Sequence, residues 1–363
     1  MTITATTPSA PAPVTREGRR TKRGPQGLTW LTLRLHRWAA VCWTLLVLVA
    51  AGALLWANGP GGDAAWTEYN RMGCHDGIPN LGCDLNGPAF DRYDTTVMLV
   101  SALITLAPLS VALWAGAALI GRELENGTAQ LAWTQSVSPA RWLAAKLAVP
   151  AGLLTAGTLL LVLLHRSMWA AHHAQWRQLG TWQWYQREIF VANGPVAVAH
   201  VLLALAVGAL IGLLTRRSLP SLGFGFFAMG SLLYALEELR PYLWPAEMAT
   251  TTREEGTPPS VDMAFDGGVV TADGAHISTG SCADPDCGRT DVVGYYLDHH
   301  PSSHFWPLQL VETGIVLAVT ALLVLAAFRL LRRRTEGTSS TRTEGTASTR
   351  TEGTASTRTG GTA

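Results

Sequence analysis

The residues of this chain that could do chemistry fall into three sets, and all three suit contact or cross-linking better than bond making. Cys74, Cys83, Cys282 and Cys287 form two close pairs of thiols, which become disulfides wherever the surroundings are oxidising. His172 with His173, and His299, His300 and His304, are metal-capable imidazoles. A specific metal site needs a closed ligand geometry that spacing alone does not supply, and Asp284, Asp286 and Asp291 lack the glycine and glutamate positions of a calcium loop. No metal site is therefore expected. The third set lies in GRELENGTAQLAWTQSVSPARW, residues 121–142, where Arg122, Glu123, Glu125, Gly127, Thr128 and Arg141 bring acids, bases and helix breakers together. Such a segment is suited to docking another protein. The chain contains no GxxxxGK[ST] phosphate loop, so neither ATP hydrolysis nor any other catalysis is expected of it, and no cofactor is implied.

These sets must be positioned by a chain that is 48% hydrophobic and only 15% charged. Its apolar residues fall into six blocks, at roughly 38–57, 95–120, 147–165, 191–214, 218–238 and 306–330. A hydrocarbon core about 30 Å thick needs about 20 apolar residues as a helix, and each block is long enough. Segments such as VAVAHVLLALAVGALIGLL lack the polar residue every third or fourth position that a soluble amphipathic helix carries. The fold class expected is all-α, a polytopic membrane protein with six transmembrane helices.

Orientation follows from the basic residues, because short loops rich in Lys and Arg stay cytoplasmic. Arg16, Arg19, Arg20, Lys22, Arg23, Arg34 and Arg37 precede the first span; Arg122, Arg141 and Lys146 follow the second, Arg216 and Arg217 the fourth, and Arg332, Arg333 and Arg334 the sixth. Both termini are expected to be cytoplasmic, with the first span as a signal anchor. External loops are then expected at 58–94, 166–190 and 239–305. All four paired cysteines fall in the first and last of these, with local pairing or pairing across the loops both open. Cys42, inside the first span, reads as a packing residue. Residues 1–27 and the tail 331–363 are too poor in large apolar side chains to order themselves; the tail is an imperfect repeat of RTEGTAST that cannot stack.

Within the cytoplasmic loop at 121–146 the signals alternate. Arg122 and Glu125 share a helix face, Asn126 and Gly127 stop that helix, and Leu131, Ala132 and Trp133 form a short segment. Ser138 reads as an N-cap with Pro139 at the first helical position of the next helix. A loop that only turns the chain needs no such ordered piece. Upstream, LTWLTLRLHRW at 28–38 is either an amphipathic elbow on the inner membrane surface or the basic start of the first span. Gly208 and Gly212 form a GxxxG pair that permits close helix approach, within one subunit or between two. His165 and His200 are expected at the outer interface, and Trp169, Trp176, Trp182 and Trp184 as an aromatic belt at the headgroups.

The run Arg122, Glu123, Glu125, Gly127, Thr128, Leu131, Trp133, Thr134, Gln135, Ser136, Val137, Arg141, Trp142 and Lys146 resembles the signature of permease subunits of type-2 ABC exporters. The six-span layout and the turn Thr215, Arg216, Arg217, Ser218, Leu219, Pro220 extend the resemblance over residues 28–330. It implies a transmembrane permease domain at 28–330 whose 121–146 loop couples to a separate cytoplasmic ABC ATPase subunit, with Glu123 and Glu125 as the charged contact. It also implies a second permease, copy or paralogue, and an exported substrate that the sequence does not identify. Membrane lipid is the remaining partner, in the cell membrane; nucleic acid is not one. Two other readings compete. Glu237 and Glu238 before Arg240 are similar to the paired-glutamate motif of membrane-embedded CAAX-type proteases, but the spacing to Arg240 is too short and no intramembrane histidine pair follows. A non-transporting sensor or scaffold would instead use the disulfide-bearing external loops to bind a ligand.

Overall fold

Apolar residues on every side leave the fourth predicted span no face that prefers water, and a helix of that kind must be surrounded. The computed structural model of the chain describes residues 28–72, 87–135, 137–176, 182–257, 262–280, 286 and 288–352. In it that helix, α9 (Val196–Thr215), is the central element, with 78% of its apolar window buried. Around it pack α4 (Pro88–Trp114), α7 (Pro139–Trp176), α10 (Ser218–Leu239) and α11 (Phe305–Glu352). A short α1 (Leu28–Leu35) precedes α2 (Arg37–Trp56), which lies outside against α7 and α4. Six helices among the described residues are long and apolar enough to cross a membrane, and the protein is an all-α polytopic membrane protein.

Close approach is what holds the central helix. Lipid tails are as apolar as leucine, so helices associate in a membrane by packing and polar contact rather than by hydrophobic exclusion. Gly208 faces Ala112 so tightly that a Cβ would sit 2.4 Å from the Ala112 carbonyl oxygen, and one on Gly212 would sit 2.7 Å from that of Gly116. The GxxxG pair is thus used inside the subunit. Gly116 belongs to a π-helical stretch, Ala115–Gly121, that ends the second span. Such stretches widen a helix locally and recur at functional sites.

The connecting segments hold more structure than their lengths suggested. Beyond α2 a π-helical turn, Ala57–Gly61, carries a non-helical kink at Gly59 before Pro60 and leads into α3 (Gly62–Arg71). Glu68 on α3 then accepts the backbone N–H groups of Ala89 (2.7 Å) and Phe90 (2.9 Å), capping the start of α4. Residues 239–305 contain a four-stranded antiparallel sheet that the sequence reading did not foresee. Its strands are β1 (Glu247–Thr252), β2 (Ala264–Thr271), β3 (His276–Ser278) and β4 (Val292–His299), in the order β1-β4-β2-β3. The Trp184 indole donates to Asp262 at 3.2 Å, and Phe265 packs between Tyr242 and His300, so the sheet is fastened to the helix ends.

One expectation is corrected here. Trp182 and Trp184 are not a headgroup belt: both are buried in the core near α4 and α8 (Arg187–Ala192), and the Trp182 indole donates to Asp94 at 2.7 Å. His165 and His200, expected at the outer interface, are buried within the protein, at 0% and 3% exposure. α11 itself runs as helix to Glu352, into the first repeats of the tail. Extending an existing helix fixes one residue per hydrogen bond and needs no new nucleus. Cys74, Cys83, Cys282 and Cys287 lie outside the described residues, as do residues 1–27; Cys42 is an exposed free thiol on α2.

The packing at Gly208 sets a test. Gly208→Ala is expected to destabilise the detergent-solubilised protein by about 1–3 kcal/mol, because the clash is with backbone and cannot rotate away. Gly223→Ala, where a Cβ meets nothing within 4 Å, should leave the thermal melting curve unchanged.

Candidate functional site

The loop at 121–146 has the helix, break, helix shape that its sequence signals. The π-helical stretch runs into α5 (Arg122–Glu125), and Gly127 then adopts φ 70°, a left-handed conformation that glycine accepts without penalty. Next comes α6 (Thr128–Thr134), with the Thr128 hydroxyl donating to the Glu123 carbonyl at 3.1 Å. Ser138 follows as an N-cap whose hydroxyl oxygen accepts from the Arg141 N–H at 3.4 Å.

The two carboxylates of the loop also have partners within the chain. The Glu123 carboxylate forms an ion pair with Lys146 on α7 and accepts the Trp142 indole N–H at 3.3 Å. Lys146 also donates to His36 Nε2, 3.0 Å away. Burial, and then the neighbouring Lys146 charge, pull the His36 pKa down to about 4. His36 is therefore neutral at physiological pH and accepts this bond. Its 3.9 Å separation from Glu123 is not an ion pair. Glu125 turns to the other loop of the same face, accepting the Ser218 N–H at 2.9 Å and the Ser218 hydroxyl at 2.7 Å, and so caps α10. Both carboxylates brace the loop from within. What the loop presents outward is α6, where Gln130, Thr134, Gln135 and a 59% exposed Leu131 stand beside the exposed Arg122 and Arg141.

A second polar cluster sits at the opposite end of α9, and it was missed in the sequence. Arg240 donates to both oxygens of Glu312, at 2.8 and 3.2 Å, with both side chains buried. His200 Nε2 lies 3.5 Å from the same carboxylate, and the Arg240 guanidinium stacks on Phe190 at 4.1 Å. Nearby, the chain breaks between α8 and α9 at Asn193, Gly194 and Pro195. The freed backbone groups are met by Gln309, whose amide donates to the Phe190 carbonyl at 2.6 Å and accepts from the Val196 N–H at 3.3 Å. His165 joins Ser101 (2.8 Å) to Asn193 (2.9 Å). The signal was available in the lone acid, Glu312, inside the sixth apolar block, since ionisable residues at membrane depth are rare and partnered.

The other sequence candidates are dispersed. Glu237 pairs with Arg187 at 3.1 Å, which occupies one half of the paired-glutamate motif. His300 uses both ring nitrogens, toward the Pro241 carbonyl and His304, and His172 lies on α7 with its Nδ1 3.1 Å from the Met168 carbonyl. Among the described residues no group of three metal-capable side chains converges.

The buried pair makes a measurable demand. Arg240→Met strands the Glu312 carboxylate and is expected to cost about 3–5 kcal/mol of stability. Adding Glu312→Leu should recover most of that loss in thermal melting of the purified protein, since both charges are then gone.

Against known proteins, the family described as ABC-2 membrane transporter related matches residues 31–240, more than half of the 363-residue chain. The matched region holds α1 to α10 apart from the first residues of α1, including the whole 121–146 loop. No curated protein and no solved structure matches. Six apolar helices, one of them the buried central span, with a structured loop after the second, accord with that match, and the chain belongs to the ABC-2 membrane transporter related family.

Proposed function

We propose that this protein is the permease subunit of an ATP-driven exporter, coupled through residues 121–146 to a separate cytoplasmic ATPase and working with a second permease, copy or paralogue. The family supports a non-enzymatic membrane transporter subunit. The observation that carries the finer reading is the construction of the loop. A short helix, α6, packs Ala129 and Trp133 against the bundle between two breaks and shows an exposed Leu131 with polar neighbours. Internal bonds from Glu123 to Lys146 and Trp142, and from Glu125 to Ser218, hold it rigid. A rigid, partly apolar helix with a polar rim has the composition of a protein contact.

In this mechanism ATP-driven closure of the partner presses on α6. The load passes through Glu123 and Lys146 to α7, through Glu125 to the start of α10, and along the π-helical stretch to α9. Arg122, Gly127, Thr128 and Arg141 set the geometry of the surface. The basic residues on the loops at this end favour a cytoplasmic position for it and for both termini. The sheet then lies outside, and movement of substrate is outward. An ordered external sheet also suits the competing sensor or scaffold reading, and recovery of partners separates the two.

The tagged chain, purified in mild detergent, is expected to bring with it a stoichiometric nucleotide-binding subunit. Leu131→Asp should lower that recovery by about tenfold, equivalent to roughly 1.4 kcal/mol of contact, with insertion unchanged. Glu123→Ala with Glu125→Ala removes the braces and not the surface, so the partner should still bind while its stimulated ATPase activity falls. Unchanged coupling in correctly assembled complexes, or recovery of the chain alone under conditions that preserve other membrane complexes, overturns the reading.

A further inference from the structure

Two hollows meet at the foot of α1. The first, about 420 Å³, lies between α2, α4 and α7 and is walled by apolar side chains such as Trp43, Leu103, Ala107, Trp114 and Leu153. Leu106 and Leu46 on its rim are exposed, at 50% and 37%, so it opens sideways from the bundle. The second, about 520 Å³, lies between α1 and the 121–146 loop and is lined by polar groups including Arg122, Glu123, Asn126, Thr128 and Lys146. Thr32 and His36 belong to both. The two hollows adjoin at these residues, the first walled by apolar groups and the second carrying the charged side chains.

The charge in the polar half is not balanced. Lys146 and Glu123 neutralise each other in their ion pair, and His36 is neutral. Arg122 has no side-chain hydrogen bond or ion pair to any described residue, which leaves one positive charge facing the polar hollow. Each half lies within the roughly 300–1,000 Å³ of small-molecule sites, where apolar walls and a few placed polar groups set affinity and orientation. Only an amphiphile satisfies both halves at once.

We propose that the adjoining hollows together bind one phospholipid with a net negative headgroup, a chain of which lies between α2, α4 and α7 while the headgroup meets Arg122. The headgroup then sits against the loop that carries α6, so the site reports lipid occupancy to the same surface that the proposed ATPase contacts. Binding itself requires no ATPase and stands apart from the transport reading. A basic side chain near a membrane surface is worth about 1 kcal/mol toward anionic lipid, which is about a fivefold preference.

The test is native mass spectrometry of the full-length chain, delipidated in detergent and then offered dioleoyl phosphatidylglycerol or dioleoyl phosphatidylcholine. One tightly held phosphatidylglycerol per chain is expected, favoured about fivefold over phosphatidylcholine. Arg122→Gln should abolish the preference and leave residual retention of either lipid. Ala107→Trp from α4 and Cys42→Trp from α2 each fill the apolar half, and either one, once shown to melt like the parent, should lose retention of both lipids. Absence of preference in the parent chain, or wild-type retention in a folded cavity-filled variant, overturns the proposal. So does displacement of the lipid by soluble glycerol 3-phosphate at equal concentration, which would mean that a free phosphate suffices.

Discussion

A close backbone contact between the central helix and the second span is the one on which the rest of the architecture depends. Because α9 has no polar face, in lipid it can be fixed only by shape, and the shape is supplied by Gly208 and Gly212 against Ala112 and Gly116. The π-helical stretch Ala115–Gly121 brings Gly116 into that contact and leads without interruption into α5. The position of the 121–146 loop is therefore set by close backbone packing, so a displacement at α6 has little slack before it reaches the central helix.

Both ends of α9 need polar closure for the opposite reason. Where a helix starts or stops against the bundle it leaves carbonyl and N–H groups unmet, and any that water does not reach cost several kcal/mol each. At one end Gln309 answers the break at Asn193, Gly194 and Pro195, and the Arg240 to Glu312 pair with His200 ties α9 and α11 to the end of α10. At the other end Arg216 takes φ 53°, a left-handed cap, and Arg334 of α11 donates to the Leu213 carbonyl. Glu125 closes the neighbouring start of α10. Here the same group that holds the fold also shapes the candidate docking loop.

This division explains which parts of the site were legible before the structure. Helix breaks at Asn126, Gly127 and Ser138 depend on local backbone preference, so the alternation through 121–146 could be read from residue type. The partners of Glu123 and Glu125 could not. Lys146 is 23 residues from Glu123, and Ser218 is 93 from Glu125, and a carboxylate on a short helix looks outward until those neighbours are in place. The tryptophans after α7 misled in the same way: indoles near a span end suit headgroups or a capped core equally, and Asp94 and Asp262 provided the acceptors that allowed burial.

The sequence by itself determined the solvent. Six apolar blocks of bilayer length, separated by basic or cysteine-bearing connections, leave a helical membrane protein as the only way to satisfy every backbone group in lipid. Only the tertiary structure decided which span is central, which charges face inward, that residues 239–305 contain a sheet, and that two hollows adjoin at His36. Those outcomes rest on contacts between residues far apart in the chain, whose energies exist only after the helices have packed.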